Sequence, residues 1–267
     1  MSTSTHTTQT LTTTPLLRAD NISKQFGGLH ALKAVSFTVP TNSIYGIIGP
    51  NGAGKTSLFN VLTGLYQADS GTLWFQGNNI LNAEPHRIVK HGIARTFQNI
   101  RLFAEMTAIE NVMVGRHVRT RSGLLGAVFR TPGFKSEEAA IATRAQELLD
   151  YVGIGNYADY KARTLSYGDQ RRLEIARALA TDPKLIALDE PAAGMNATEK
   201  VVLRELIDRI RNDGRTILLI EHDVKLVMGL CDRVTVLDYG KQIAEGTPAE
   251  VQKNEKVIEA YLGTGAH

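Results

Sequence analysis

The amino-acid sequence predicts an α/β fold built around a mostly parallel sheet. Three apolar runs of strand length alternate with segments of helical character, and their near-continuous apolar pattern is typical of strands buried on both faces. These runs are residues 43–48, 185–188 and 216–220. Between the last two, four apolar residues repeat at the helical spacing i, i+3, i+4, i+7 before Gly214. They are Leu203, Leu206, Ile207 and Ile210. Strands that alternate with helices form a parallel α/β core.

The N-terminal part of the chain predicts an antiparallel β subdomain. Residues 16–39 are strand-like, with apolar and polar side chains alternating over 35–39 before Pro40. Another strand is predicted at residues 73–76, turning at Gly77. A helix is predicted from residue 55 to about residue 65.

Residues 98–165 depart from this alternation and predict an inserted helical subdomain. Its best helix spans residues 137–152, and Gly, Arg and Pro interrupt the segment before it. The whole predicted domain covers residues 16–264. The Thr- and Ser-rich residues 1–15 lack the apolar core and basic start of a signal peptide, so we expect a disordered tail.

The C-terminal segment predicts a hairpin followed by helix. Apolar residues at 234–237 and 241–244 flank a turn of Asp, Tyr and Gly. Thr247 and Glu250 then fit a capping box with Pro248 at the first helical position, and a last helix is predicted toward Leu262.

Composition excludes several classes of protein. The net charge is only +3, from 30 basic and 27 acidic side chains, which does not indicate a nucleic-acid or acidic-lipid surface. Cys231 is the only cysteine, so there is no disulfide framework and a reducing compartment is expected. No apolar run reaches the roughly 20 residues that cross a bilayer. Any membrane association is therefore expected to pass through a partner.

A glycine-rich segment directly after the first apolar run fits the phosphate-loop pattern G-x-x-x-x-G-K-[ST]. Main-chain N–H groups of such a loop surround phosphate oxygens; Lys55 would contact the β- and γ-phosphates and Thr56 would bind Mg²⁺. A simple connecting turn is the alternative, but the pattern arises by chance in about one chain in a hundred of this length. The sequence therefore predicts a P-loop NTPase core. Its predicted ATP-binding residues are Gly49, Pro50, Asn51, Gly52, Ala53, Gly54, Lys55, Thr56 and Ser57.

Two carboxylates end the apolar run at 185–188. Asp189 is predicted to hold Mg²⁺, and Glu190 to activate the attacking water, because a P-loop ATPase needs both tasks near the phosphates. An isolated pair of this kind is more often a strand reaching solvent. With a phosphate loop upstream, the catalytic interpretation is favoured.

The segment Leu165-Ser166-Tyr167-Gly168-Asp169-Gln170, at the start of a helix ahead of the acidic strand, resembles the signature of ABC transporter ATPases. The resemblance covers about residues 16–262. It implies that Ser166 and Gly168 contact the γ-phosphate of ATP held by another subunit. Tyr167 and Asp169 depart from the family consensus, and Asp169 is left out of the nucleotide contacts because its carboxylate would repel phosphate.

The same resemblance assigns further residues one at a time. Gln98 matches the glutamine that reaches Mg²⁺ and the catalytic water, and His222 matches the histidine that hydrogen-bonds the γ-phosphate. Phe26 matches the aromatic residue that stacks on adenine, although a Phe near a strand end is more often part of a core. Asn196 replaces the usual aspartate of the loop at residues 193–196.

Within the family, the chain resembles the larger ATPase subunit of bacterial branched-chain amino-acid importers. This implies a dimer with an identical or paralogous ATPase, transmembrane permease subunits, and indirectly a solute-binding protein, at the cytoplasmic face of the inner membrane. Three alternatives stay open. They are a lipid or lipopolysaccharide exporter subunit, a soluble repair or translation ATPase, and a regulatory module that binds ATP without hydrolysis.

Overall fold

The computed structural model describes residues 15–119 and 132–262. Within these residues the strands are β1 (Leu17–Phe26), β2 (Leu29–Val39), β3 (Ile44–Ile48), β4 (Ser70–Phe75), β5 (Asn78–Asn79), β6 (Ile93–Arg95), β7 (Leu185–Asp189), β8 (Thr216–Ile220), β9 (Arg233–Asp238) and β10 (Lys241–Gly246). The α-helices are α1 (Lys55–Leu62), α2 (Pro85–His91), α3 (Ala108–Arg116), α4 (Pro132–Tyr151), α5 (Tyr167–Leu179), α6 (Ala197–Asn212), α7 (Val224–Leu230), α8 (Pro248–Gln252) and α9 (Glu255–Leu262).

The larger sheet is mostly parallel, as predicted. Its strand order is β10-β9-β3-β8-β7-β6, and only β10 runs antiparallel to its neighbour. The strand β3 lies inside the sheet, with Ile47 opposite both Ile220 of β8 and Thr235 of β9. Every residue of β3, β7 and β8 is buried, which is why these strands read as continuous apolar runs.

The smaller sheet is antiparallel, with the order β2-β1-β4-β5. Leu17 of β1 lies opposite Val39 on one side and Phe75 on the other. The predicted fold class is therefore confirmed in both of its sheets.

Two apolar cores cover opposite faces of the parallel sheet. Leu218 and Ile220 pack toward the antiparallel sheet and α1, whereas Ile217 and Leu219 pack toward α3, α4, α5 and α6. Burying one such side chain is worth about 1.5–3 kcal/mol, so a charge at any of these positions would break the layer.

The predicted helix after β7 is confirmed as α6. Its four predicted apolar residues, Leu203, Leu206, Ile207 and Ile210, are buried. Asn196 caps the helix: its side chain accepts the N–H of Glu199 at 3.0 Å, and the Glu199 carboxylate accepts the N–H of Asn196 at 2.9 Å. The predicted capping box of Thr247 and Glu250 is also present, at the start of α8.

Several predicted boundaries were wrong. The helix α1 ends at Leu62, short of the predicted end near residue 65, and Gly64 follows it with a left-handed φ of 74°. The predicted last helix is two helices, α8 and α9. The helix α2 and the short strand β6 were not predicted.

The described part of residues 98–165 contains α3 and α4, with a loop at residues 98–107 and short 3₁₀ turns at Gly155–Tyr157 and Ala162–Thr164. The helix α4 spans Pro132–Tyr151, so its described start lies five residues before the predicted one. The helix α3 was missed; it buries only Ala108, Asn111 and Val112, so it has no wide apolar stripe. The subdomain and domain boundaries stay predictions, and the predicted tail lies almost wholly outside the described residues.

Candidate functional site

The candidate site lies at the carboxyl edge of the parallel sheet, where three neighbouring strands end. β3 runs into Gly49, β7 into Glu190, and β8, which lies between them, leads to His222. The main-chain N–H of Glu190 donates to the carbonyl of Ile220 at 2.9 Å and ties two of these ends together. Residues far apart in sequence therefore meet here.

The phosphate loop joins β3 to the first residue of α1, Lys55. Gly54 has a φ of 102°, and a Cβ atom there would lie 2.6 Å from the carbonyl oxygen of Ala31 in β2. Only glycine allows both this conformation and this close approach. The loop is thus held against the antiparallel sheet at the start of a helix, where anions bind well.

The Lys55 ammonium group is turned into the loop. It donates to the carbonyls of Gly49 at 2.7 Å and Pro50 at 2.9 Å, and the residue is only 6% exposed. Burial lowers the pKa of Lys55, and the nearby carboxylates of Glu190 and Asp189 oppose that effect. A cation is therefore held at the loop by groups that a phosphate can replace.

The Asp189 carboxylate is buried and paired with Arg95, a residue that was not predicted. Arg95 Nη2 lies 2.8 Å from Asp189 Oδ2, and its guanidinium also lies 4.8 Å from the ring centre of Phe59 and 4.9 Å from that of Phe97. Burial raises the pKa of Asp189, while Arg95 lowers it. A lone arginine at a strand end gives no sequence pattern from which this partner could be found.

Three predicted catalytic residues meet around one carboxylate. Glu190 Oε2 accepts a hydrogen bond from Gln98 Nε2 at 2.8 Å and lies 3.4 Å from His222 Nδ1. Glu190 has a positive φ of 45°, a conformation that side chains rarely adopt and that is often found at functional sites. The structure thus brings together residues 92 and 32 positions apart in the sequence.

Behind His222, the fully buried Glu221 holds the turn after β8. Its carboxylate accepts the N–H groups of Ala192 at 2.9 Å and His222 at 3.2 Å. Burial raises the pKa of Glu221, and these hydrogen bonds oppose the shift. This residue was also missed, since an acid beside His222 carries no spacing signal.

A cleft of about 520 Å³ contains the phosphate loop, Gln98, Glu190 and Phe26. The Phe26 ring is 43% exposed and makes an edge-on contact with Tyr66 at 5.2 Å, so Phe26 is not a core residue. The loop residues that line this cleft are Asn51, Gly52, Ala53, Gly54, Lys55, Thr56 and Ser57. Lining residues that the sequence did not indicate are Leu29, His30, Ala31, Lys33, Tyr239 and Gly240.

The signature residues lie elsewhere. Ser166 and Gly168 line a separate cleft of about 170 Å³ that shares no residue with the first. Ser166 is the N-cap of α5: its Oγ accepts the N–H of Asp169 at 3.2 Å and donates to Asp169 Oδ2 at 2.7 Å. The chain therefore does not bring these two residues to its own phosphate loop.

The unexpected Asp169 has a cation beside it. Its other carboxylate oxygen, Oδ1, is paired with Arg172. The pairing offsets the negative charge that was the reason for leaving Asp169 out of the predicted nucleotide contacts, and that omission stays a prediction.

Comparison with protein-family models gives two matches along the chain. Residues 32–193 match the model described as ABC transporter, which covers more than half of the chain. The chain belongs to the ABC transporter family. Residues 241–267 match a second model, described as branched-chain amino acid ATP-binding cassette transporter.

Individual ABC relatives match almost end to end. The high-affinity branched-chain amino acid transport ATP-binding protein LivG of Salmonella typhimurium is 46% identical over 250 residues, which cover 93% of this chain and 98% of LivG. BraF of Pseudomonas aeruginosa, described in the same words, is 44% identical with the same coverage. A crystal structure of the ADP conformation of MJ1267, an ATP-binding cassette of an ABC transporter, superposes with a TM-score of 0.82 at 36% identity, covering 93% of this chain and 99% of MJ1267.

Membership of the ABC family confirms the predicted resemblance and the predicted ATPase class. In the two described stretches of the chain, none of the helices combines the length and the apolar character needed to cross a membrane.

Proposed function

We propose that this ABC-family chain hydrolyses ATP as one of two paired subunits and thereby powers import of branched-chain amino acids. The convergence of Gln98, Glu190 and His222 beside the phosphate loop is the observation that carries the chemistry. The proposed solute comes from the LivG and BraF relatives, because their names state branched-chain amino acid transport.

ATP binding is assigned to the larger cleft. The phosphates would lie on the loop from Gly49 to Ser57, with Lys55 exchanging its two carbonyl contacts for phosphate oxygens. Adenine would stack on the exposed ring of Phe26.

Magnesium fits the oxygen donors of this site. Within the described residues no cluster of three or more His, Cys, Asp and Glu side chains could hold a metal by itself. Mg²⁺ bound with a nucleotide does not need one, because it uses one or two carboxylates together with phosphates and water. We assign Thr56, Asp189 and Gln98 to it, and when bound it would neutralise charge on the phosphates.

Hydrolysis is assigned to the carboxylate cluster. A water oxygen attacks the γ-phosphorus while the bond to the β,γ-bridging oxygen breaks, and Glu190 accepts a proton from that water. Gln98 and His222 hold Glu190 between them and would contact the water and the γ-phosphate. Such positioning and proton transfer typically contribute about 10²–10⁴-fold in rate.

The second half of the site would come from another subunit. Ser166 and Gly168 line a cleft separate from the one assigned to the ATP of their own chain, and Ser166 is exposed at a helix N-terminus. Presented by an identical or paralogous ATPase, they would donate to the γ-phosphate and exclude water. Loss of the γ-phosphate would release this contact and open the dimer.

Transport requires partners in the membrane. We propose permease subunits that contact the helical region after Gln98, a solute-binding protein acting through them, and a peripheral position at the cytoplasmic face of the inner membrane. The balanced charge of +3 gives no support for a nucleic-acid partner. An exporter subunit is the alternative within the family.

The test is transport itself. The tagged chain would be purified with its membrane partners, reconstituted in liposomes and supplied with Mg-ATP while uptake of labelled leucine is measured. Uptake that requires ATP and is competed by isoleucine and valine supports the proposal. In the matched Glu190→Gln complex, ATP should still bind while hydrolysis and uptake fall together. ATP-driven movement of lipid without amino-acid uptake would favour the exporter instead.

A further inference from the structure

A buried arginine on the signature helix binds the main chain of the segment that carries Gln98. Arg171 of α5 has no exposed surface, yet it lies one turn after the exposed N-cap Ser166. Its Nη1 donates to the carbonyl of Phe97 at 2.6 Å, and its Nη2 donates to the carbonyl of Gln98 at 2.7 Å. The two arms of one guanidinium group thus hold two successive carbonyls, a geometry that lysine cannot reproduce.

Glu174, one turn after Arg171 on α5, accepts hydrogen bonds from N–H groups of the same segment. Glu174, 1% exposed, forms an ion pair with Arg171 at 2.8 Å. Its other oxygen, Oε1, accepts the N–H groups of Phe97 and Arg101, each at 3.3 Å. Together the two side chains bind two carbonyls at the start of residues 97–101, which we call the Gln98 loop, and the N–H groups of the first and last of these residues.

A buried ion pair is a costly way to fill a core. Taking both charges out of water commonly offsets their attraction, and apolar residues of similar volume often stabilise a fold equally well. Burial raises the pKa of Glu174, with Arg171 opposing, which reflects that cost. What an apolar pair could not provide is the set of four hydrogen bonds to the Gln98 loop.

Tyr167, which departs from the signature consensus, connects Arg171 to the loop that follows Glu190. Its hydroxyl lies 3.3 Å from Arg171 Nη2. On the other side, a Cβ atom on Gly194 would lie 3.3 Å from the Tyr167 ring, so the ring packs against the loop after Glu190. The N-terminal part of α5 therefore contacts both the Gln98 loop and the loop that follows Glu190.

We propose that Arg171 and Glu174 are positioning residues that fix the Gln98 loop to the first turns of α5. Gln98 serves the ATP of its own subunit, whereas Ser166, on the same helix, serves the ATP of the neighbouring subunit; this inference rests on the function proposed above. The pair makes the two elements move as one body, so closing one ATP site sets the position of a catalytic residue in the other.

The test replaces the pair without leaving a lone buried charge. The double variant Arg171→Met, Glu174→Leu keeps apolar volume in the core and removes the four hydrogen bonds to the loop. The matched control is Arg144→Met, Glu147→Leu, which removes an ion pair of the same i,i+3 spacing and 2.8 Å length from the exposed face of α4.

Amide hydrogen exchange reads the contact directly, since the N–H groups of Phe97 and Arg101 donate to Glu174. In the full-length double variant we expect these two amides to exchange at least about tenfold faster than in wild type. We expect kcat for ATP to fall by about 5- to 150-fold, the usual range of coupling between sites. The affinity of the monomer for Mg-ADP should stay within about twofold, because the contacts of the phosphate loop are untouched.

Exchange rates and kcat that match the control variant would overturn the proposal. If the double variant does not fold, Arg171→Lys decides: it keeps the charge beside Glu174 but cannot hold both carbonyls, so kcat should still fall in a protein whose cooperative melting transition shows that it is folded. An unchanged kcat in that variant would also overturn it. A wild-type chain without ATPase activity would refute the proposed function instead, and amide exchange would still show whether the loop is held.

Discussion

The phosphate loop and the signature turn are both built on the N-terminus of a helix, but they differ in what their own chain provides. Lys55 is 6% exposed and is oriented by two carbonyls of its loop, beside the carboxyl ends of β7 and β8. Ser166 is exposed, and its hydroxyl is engaged only with the neighbouring Asp169 among the hydrogen bonds of the described residues.

The difference indicates how the work is divided. Under the proposed function, one chain would supply the binding half of the site, whose groups are already positioned by the sheet. The hydroxyl of the signature turn is satisfied by Asp169 without a ligand, and under the proposed function the turn would add to catalysis only when another subunit places a phosphate there. Substitutions in the phosphate loop should therefore weaken nucleotide binding by the monomer, whereas substitutions in the signature turn should lower turnover and leave that binding unchanged.

Lys55→Ala should cause the largest loss, because it removes the cation that the loop holds for the phosphates. We expect Mg-ATP turnover to fall by about 10²–10³-fold and the affinity for ATP to weaken in the isolated monomer. Turnover and nucleotide titration measure the two effects. Full turnover in this variant would show that the loop is not the binding site.

Ser166→Ala should be nearly as damaging to turnover but not to binding. We expect kcat to fall by about 10²-fold, with monomer affinity for Mg-ADP unchanged, since the signature turn lies outside the nucleotide cleft. The lost N-cap should also cost about 1 kcal/mol of stability.

Mixing variants tests directly whether the halves come from different chains. In a dimer of one Lys55→Ala chain and one Ser166→Ala chain, one site keeps both an intact loop and an intact signature. When both substitutions are on one chain and the other is wild type, each site lacks one half. We expect activity only from the first mixture; equal activity from both would contradict a shared site.

The phosphate loop was easier to predict than the contacts between distant residues, because its sequence pattern lies within one short segment. The segment from Gly49 to Thr56 carries a spacing that few other structures require, and the strands beside it are buried on both faces, so their pattern is unambiguous. The positions of Glu190 and Gln98 relative to each other depend on the order of strands, which was not predicted, and the role of Gln98 came from the resemblance alone.

What the sequence did not show depends on pairing between distant residues. Arg95 with Asp189, and Arg171 with the Gln98 loop, are contacts across 94 and 73–74 positions of the chain. Arg95 and Arg171 are each a single charged residue that belongs to no periodic pattern in the sequence. The helix α3 was missed for a related reason, since its stripe is narrow and only the capping box of Thr107 and Glu110 marks its start.

Phe26→Ala should affect binding alone, and by less. Loss of stacking on adenine should weaken ATP binding by about 1–3 kcal/mol, which is roughly 5- to 150-fold. Inorganic tripolyphosphate, which has no base, should bind both proteins equally, and Phe26→Tyr should restore the affinity for ATP. Equal loss for tripolyphosphate would mean that the ring supports the loop rather than the base.

Asp223→Asn should have the smallest effect, because it keeps a helix cap and removes only one ion pair. Asp223 caps α7 as Ser166 caps α5, and it also pairs with Lys200 at 2.7 Å. Asparagine caps equally well, so only the partly exposed ion pair is lost, worth about 0.2–1 kcal/mol at pH 7.

The pH dependence of this small loss of stability follows from the direction in which the pKa of Asp223 is shifted. The hydrogen bond from Lys200 holds the pKa of Asp223 below its ordinary value of 3.8. The pair therefore stabilises the folded state fully above that value and ceases to do so as the pH falls through the lower, folded-state pKa. Urea unfolding of both proteins should show a constant difference from pH 7 to pH 5, roughly, and a shrinking one below about pH 4. Turnover should stay near that of wild type; a fall as large as that of Ser166→Ala would mean that the ion pair between Lys200 and Asp223 supports the turn that carries His222.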